Sequence, residues 1–592
     1  MPRRESAMKK MSAFISTVLI GSTLLLPLSA GADELKGNAD PPKSPKDKVI
    51  EQIIANMTAK EKIGQLVMPS THDNESKMPN EDTRKLIQNY KAGSVIVYGA
   101  RNARTTAQYN NQLQKWAANT SPKLPLLVSA DLEFGTKQHV TDATPFPRQM
   151  GIGATRQAKA AKDVAKITAL EAKATGFNWN YSPVADVNTN PANPVIGVRS
   201  FGEKTSLVSS MTAAQIKGYQ ENGVVATAKH FPGHGDTSVD SHLGLAAVTY
   251  DRETLETVHL PPFQAAIDAG VDSIMTAHVI INAIDKELPA TLSKKVLTGL
   301  LRNEMGFKGL IVTDAMSMHA IAKEWGAGQA AVMAVNAGAD IVMATGNLDE
   351  QLETFDALSD ALKSGQLSEK RVNESVKRVL ALKIKYKLFG HRYVDPEGAV
   401  NVVNQPAHKE TAAEVARKSI TLVKNENVLP FHPAEKKLTL VTGPQIYGST
   451  NFINNIASMV DEKSAGNVKS FTTSEDATTA EIQQAVKLAE QADQIIVPTF
   501  SPSELPAGQA KLVKELQKTG KPVVAVSLGL PYDVKEYPEV GAYISTYSVE
   551  RWGSPVPTSW KAAIDVIFGT QPGGKLPVSI EGLYPYGTGL NY

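Results

Sequence analysis

The segment Lys229-His230-Phe231-Pro232-Gly233-His234-Gly235-Asp236-Thr237-Ser238-Val239-Asp240-Ser241-His242 gathers three histidines, two aspartates and a lysine around two glycines and a proline. It follows the apolar run Val224–Ala228 and reads as a polar loop leaving a buried strand, a common place for binding and catalytic groups. Asp240 and His242 stand two residues apart, and in extended backbone such side chains point to the same side. The carboxylate can then hold one imidazole nitrogen and fix the tautomer, as the aspartate of a catalytic triad does. An imidazole so held, with a reference pKa of about 6.5, can give and take a proton near neutral pH. The tripeptide alone also fits an Asx-type turn with an exposed histidine; its place just after the His/Gly loop favours the chemical reading.

A second acid, Asp314, closes the apolar run Gly309–Thr313 and precedes Ala315-Met316-Ser317-Met318, which reads as the start of a helix. A catalytic carboxylate at a strand end and a helix N-cap look alike at this position. Asp131, after Leu126–Ala130, has the same two readings. Arg199, in the Gly-containing stretch Val195–Gly202, fits a ligand for a substrate hydroxyl or carbonyl and a structural salt bridge equally well. His230 and His234 have an H-x-x-x-H spacing, which serves zinc when it lies on a helix. Pro232, Gly233 and Gly235 argue against a helix there, so neither a metal nor another cofactor is expected.

The elements that must position these residues alternate along the chain. Short apolar runs at 94–98, 126–130, 178–183, 224–228, 273–276, 310–313 and 340–343 are interleaved with helical stretches at 81–90, 158–175, 211–222, 260–269, 297–305 and 327–337. Strand–helix repetition argues a parallel sheet, and continuous apolar runs argue strands buried on both faces. A TIM-like (β/α)8 barrel over residues 48–392 fits, closed by an amphipathic helix over 371–388. A doubly wound open sheet lacks its expected G-x-G-x-x-G turn after the first strand. In a barrel, the polar residues at strand C-termini, Asp131, His230, His278 and Asp314, converge on one face. Residues 393–408 read as a linker and 409–592 as a smaller α/β domain, with strands near 438–442, 494–497, 523–527 and 543–546.

Composition narrows the classes. Lys and Arg number 62 against 60 Asp and Glu, so no charge excess points to nucleic acid. The absence of cysteine excludes disulfides, thiolate catalysis, iron–sulfur clusters and a lipid-modified cysteine anchor. Arg3, Arg4, Lys9 and Lys10, then the uncharged stretch 13–28 and Ala30-Gly31-Ala32, read as a signal peptide over 1–32, with a flexible lead-in over 33–47. A secreted protein with no lasting membrane insertion is expected.

The Lys229–Gly235 run with Asp240-Ser241-His242 resembles the signature of NagZ-type β-N-acetylglucosaminidases of glycoside hydrolase family 3. The likeness extends through 182–187, 196–201, 275–278, 289–293 and 306–314, and into the second domain at 419–425 and 572–577. It implies a barrel followed by an αβα sandwich, and retaining hydrolysis of terminal β-linked N-acetylglucosamine from cell-wall fragments. On this resemblance Asp314 is the nucleophile, His242 the acid/base and Asp240 its partner, while Asp131, Arg199, Lys229 and His230 bind sugar. No cofactor is implied, and a monomer is expected. The chain departs from the family at Asp131-Leu132-Glu133-Phe134-Gly135, where Gln and Gly usually stand at the Leu132 and Phe134 positions. That departure leaves a non-catalytic wall-sugar-binding protein as an alternative. The other is a family 3 β-glucosidase or xylosidase drawing its acid from the second domain, for which Glu504 is the available loop carboxylate.

Overall fold

The computed structural model describes residues 44–446, 451–464, 467–501, 503–549 and 556–592. The segment read as a signal peptide lies outside them. The lead-in ends earlier than its sequence suggests: a helix, α1, spans Pro45–Ala55, with Pro at its start and the Ser44 hydroxyl accepting from the Asp47 amide.

Eight short parallel strands follow: β1 (Val67–Pro69), β2 (Ser94–Ile96), β3 (Leu127–Ala130), β4 (Trp179–Asn180), β5 (Val225–Phe231), β6 (Ser273–Thr276), β7 (Leu310–Val312) and β8 (Val342–Ala344). Strands β2 to β7 pair in chain order and β1 pairs with β8. Parallel bridges from Ser70 to Ile96 and from Val312 to Ile341 join the two groups and close the ring. The barrel interior is filled by side chains from every strand, including Met68, Ile96, Leu127, Trp179, Val225, Met275, Leu310 and Met343, all at most 2 % exposed. It is therefore a packed core, and any site must lie at the mouth. Strand β1 was hidden in the sequence because it continues, without a break, the apolar period of the helix Ala59–Leu66.

The segment read as a linker contains a helix, Pro396–Val402, and the start of another, Pro406–Ser419. Their Pro residues, which punctuate the sequence as a linker, sit at N1 or N2, where no amide donor is needed. The second domain is a six-stranded sheet of β9 (Thr421–Asn425), β10 (Thr439–Pro444), β11 (Val468–Thr473), β12 (Gln494–Thr499), β13 (Val523–Ser527) and β14 (Ala542–Ser545). The spatial order is β9-β14-β13-β12-β10-β11, parallel except for the β9–β14 pair. Two apolar clusters lie under its helices, as an αβα sandwich requires. The domains are tied by the Lys575 amide on the Ala154 carbonyl at 3.0 Å and by the Ser579 amide and hydroxyl on the Glu203 carboxylate, each at 2.7 Å.

Candidate active site

A cavity of about 660 Å³ opens at the C-terminal ends of the barrel strands. Asp131, Arg199, Lys229, His230, His242 and Asp314 all line it. Of the residues singled out in the sequence, Asp240 lies just behind the wall and His278 supports the floor.

Lys229 and His230 belong to β5, and the β5–β6 register shifts between Ala228 and Phe231. Such an irregularity re-aims side chains at a barrel rim. Lys229 Nζ reaches Asp131 Oδ1 and Glu133 Oε1, each at 2.7 Å. Arg199 grips Glu133 with two bonds, Nε to Oε2 at 3.0 Å and Nη2 to Oε1 at 2.8 Å. Burial would push the Glu133 carboxyl up, but Arg199 and Lys229 outweigh it and hold it well below the usual range. Burial likewise opposes the Lys229 charge, and Asp131 and Glu133 raise it instead. The result is a fixed array of donors and acceptors suited to sugar hydroxyls.

Arg199 makes the salt bridge that one reading of the sequence gave it, and it also lines the cavity, where the ligand reading needs it to be. Glu133, its partner, was not singled out, although its place in the Asp131–Gly135 loop was the signal available. Leu132 and Phe134 do not line the cavity. Leu132 is fully buried in the core, and the Phe134 ring packs 3.3 Å from the Arg148 guanidinium carbon. The departure at these positions faces protein.

The His/Gly loop is organised by Asp186, also missed in the sequence. Its Oδ2 meets His230 Nδ1 at 2.7 Å, and its Oδ1 accepts from the His234 amide at 2.7 Å. His234 has both ring nitrogens occupied, by Thr237 Oγ1 and Ser241 Oγ, each at 2.8 Å. Burial drives its pKa down to about 4. His230 Nδ1 and both ring nitrogens of His234 are thus committed to loop structure, and among the described residues no cluster is arranged to hold a metal. Gly235 passes so close to β4's following segment that an added Cβ would lie 1.8 Å from the Val187 carbonyl oxygen.

At the loop's end Asp240 Oδ1 receives the His242 amide at 2.9 Å and faces His242 Nδ1 at 2.7 Å. The Asp240 side chain is 3 % exposed and that of His242 is 52 % exposed. A buried carboxylate thus fixes one nitrogen and leaves Nε2 for proton transfer at the cavity.

Asp314 follows β7, and its Oδ1 accepts from the Ala315 amide at 2.7 Å. No helix begins there; the next one spans His319–Trp325, so Asp314 is not its N-cap. His278 supports the turn, with Nε2 donating to the Ala315 carbonyl at 3.0 Å. Burial would raise the Asp314 carboxyl, but His278 and His230, the Ala315 amide and the Lys229 ammonium bring it down to about 2. It is an anion throughout the neutral range, as a carboxylate nucleophile must be. An anionic carboxylate and a carboxylate-held imidazole lining one cavity can attack an acetal carbon and protonate its leaving oxygen.

Comparison with known proteins gives the same frame. Residues 58–382 match the glycosyl hydrolase family 3 N-terminal domain, and residues 420–585 the family 3 C-terminal domain. A β-hexosaminidase A of Pseudoalteromonas piscicida is 31 % identical over 594 residues, covering 89 % of this chain and 97 % of that one. A β-N-acetylglucosaminidase/β-glucosidase of Cellulomonas fimi is 32 % identical over 411 residues, covering 68 % of this chain and 71 % of its own. The solved structure of a glycoside hydrolase family 3 β-N-acetylglucosaminidase from Paenibacillus sp. superposes with a TM-score of 0.81 at 34 % identity, covering 88 % of this chain and 99 % of that one. Two domain matches in this order, on a closed barrel and an αβα sandwich that share a cavity, mean that the chain belongs to glycoside hydrolase family 3.

Proposed function

We propose that the protein is an exo-acting, retaining β-N-acetylglucosaminidase that releases terminal β-linked N-acetylglucosamine from cell-wall muropeptides or related oligosaccharides. The observation that carries this reading is the Asp240–His242 pair at 2.7 Å, with Asp314 lining the same cavity. Asp314 attacks the anomeric carbon while His242 Nε2 protonates the departing glycosidic oxygen. The buried Asp240 carboxylate holds Nδ1, fixes the orientation of the ring and leaves Nε2 for the proton transfer. In the second step His242 takes a proton from water, which displaces Asp314, and two inversions give net retention. Lys229, Asp131, Arg199 and His230 bind and orient the sugar.

A histidine acid also suits an anionic aglycone. A carboxyl acid becomes an anion as it gives up its proton and would then face the muramyl carboxylate, whereas a histidine acid ends neutral. The N-terminal charged and apolar segments support export, where such fragments are met. Among the described residues no helix is long and apolar enough to cross a membrane.

The two other readings have less support. Glu504, the carboxylate a β-glucosidase reading would use, is exposed and is not one of the cavity-lining residues. The binding-only reading rested on Leu132 and Phe134, which pack into protein. Hydrolysis of 4-nitrophenyl N-acetyl-β-glucosaminide and of the matching β-glucoside, each with and without EDTA, tests the proposal. Chelator-resistant release, faster from the N-acetylglucosaminide, is expected. Release from the glucoside alone, or from neither by folded protein, would refute it.

A further inference from the structure

The second domain also reaches the cavity. Ser501, Leu530 and Val549 line it, and each lies a few residues beyond the C-terminal end of a central parallel strand, β12, β13 and β14 respectively. Leu530 and Val549 are apolar walls, so Ser501 is the one among these three that can make a directed polar contact.

Its hydroxyl is held from behind. Ser501 Oγ donates to Asp533 Oδ1 at 2.5 Å, and Thr499 Oγ1 donates to Asp533 Oδ2 at 2.7 Å. The Tyr537 hydroxyl lies 2.8 Å from Thr499 Oγ1. Asp533 is 2 % exposed. It is met by hydroxyls, and the charged group acting on it, Glu536, has the same sign. Burial pushes its carboxyl up to about 6, against the Ser501 and Thr499 hydroxyls. A buried acid served only by hydroxyls is a costly way to brace a turn, since a neutral amide or hydroxyl would do that with less desolvation. A carboxylate accepts at both oxygens and so fixes the direction of two hydroxyl protons at once, where a side-chain amide, with one oxygen and one NH2 end, does not.

We propose that Ser501 binds the terminal sugar and that Asp533 is its positioning residue. With its single proton committed to Asp533, the Ser501 oxygen presents its lone pairs to the cavity. It accepts a hydrogen bond from one O–H or N–H of the sugar. The barrel supplies the reacting groups and the second domain supplies this specificity contact. The inference rests on the hydrolase reading above, and it adds a substrate contact made across the domain boundary.

The test pairs Ser501→Ala and Ser501→Thr with a substrate series. Aryl β-glycosides lacking in turn the 3-, 4- or 6-hydroxyl or the 2-acetamido group are compared with the parent N-acetylglucosaminide. Ser501→Ala should lower kcat/KM about 3- to 10-fold on the parent, as loss of one neutral hydrogen bond does. On the single analogue that lacks the bonded group, variant and wild type should be equal, and Ser501→Thr should restore most of the loss. An equal loss on every analogue would assign Ser501 a structural role and overturn the inference, as would no loss on any. Calorimetric binding of N-acetylglucosamine and its deoxy forms reads the same contact without turnover. Failure of the hydrolase reading and failure of the Ser501 contact are therefore separable.

Discussion

At the scale of single residues, the site separates groups whose charge is fixed from one that must change. Asp314 is held down to about 2, so it is ionised above that pH and contributes nothing to the pH dependence of kcat/KM near neutrality. An alkaline limb in kcat/KM then belongs to the proton donor and not to Asp314. In His242→Ala, assayed with an activated aryl substrate, that limb should disappear while the neutral-pH plateau is lowered. A limb that persists unchanged in the variant would assign the proton to another group. The Asp240/His242 pair was legible because its geometry is local, although the backbone there is a turn and not extended: Asp240 accepts the His242 amide on its side chain and the Leu243 amide on its carbonyl, so the Asx-type turn and the paired imidazole are one feature. Glu133 and Asp186 were not, because what they do depends on partners 66 and 44 residues away in the chain. A lone acid in a loop carries no mark of the Arg199 or His230 that folding brings to it.

At the scale of elements, the His/Gly loop is shaped by close approach as much as by hydrogen bonds. Asn193 Nδ2 donates to the His234 carbonyl at 2.9 Å, and Thr189 Oγ1 to Asp236 Oδ1 at 2.7 Å, so the loop lies flat on the 186–193 segment. Gly235 is what permits this contact. Gly235→Ala should cost about 1–3 kcal/mol by thermal unfolding and lower kcat, because the loop must lift and carry Asp240 and His242 with it. An alanine variant with unchanged stability and turnover would mean the loop is not seated as described. Most barrel strands could be read from the sequence because each is buried on both faces, whereas the helices Ala103–Ala118 and Leu348–Ser364 went unread although both are long. Two of the missed strands show a physical cause. Strand β1 is three residues joined directly to a helix, and β11 is an edge strand in which Thr473 alone is buried. Neither shows the unbroken apolar run of a central strand.

At the scale of the whole molecule, the two domains use one rule. In both, the cavity is lined by residues just beyond the C-terminal ends of parallel strands, where strand-end polar groups converge. The opposite end of the barrel serves stability, and Lys383 is its titratable weak point. It is fully buried and bonded to Gln65 Oε1 at 2.6 Å. Burial, reinforced by Arg392, takes its pKa from 10.5 down to about 7. Between these values the folded protein holds a neutral amine while the unfolded chain holds the proton. Stability therefore rises with pH across that window, by at most about 1.4 kcal/mol per unit, and the penalty is fully present below pH 7. Lys383→Met should stabilise the protein most at pH 6 and progressively less by pH 10, measured as denaturant midpoints. An equal gain at both would indicate packing alone.

Which domain carries the proton donor is the central question at this scale, and one comparison answers it. Wild type, His242→Ala and Glu504→Ala are assayed on N-acetyl-β-glucosaminides of good and poor aryl leaving groups. Loss of a general acid is felt chiefly where the leaving group needs protonation, by about 10²–10⁴-fold. His242→Ala should therefore retain much of its activity on the best leaving group and lose it on the poorest, while Glu504→Ala follows wild type throughout. The reverse pattern, with leaving-group sensitivity in Glu504→Ala and none in His242→Ala, would contradict the assignment of the acid to the barrel loop.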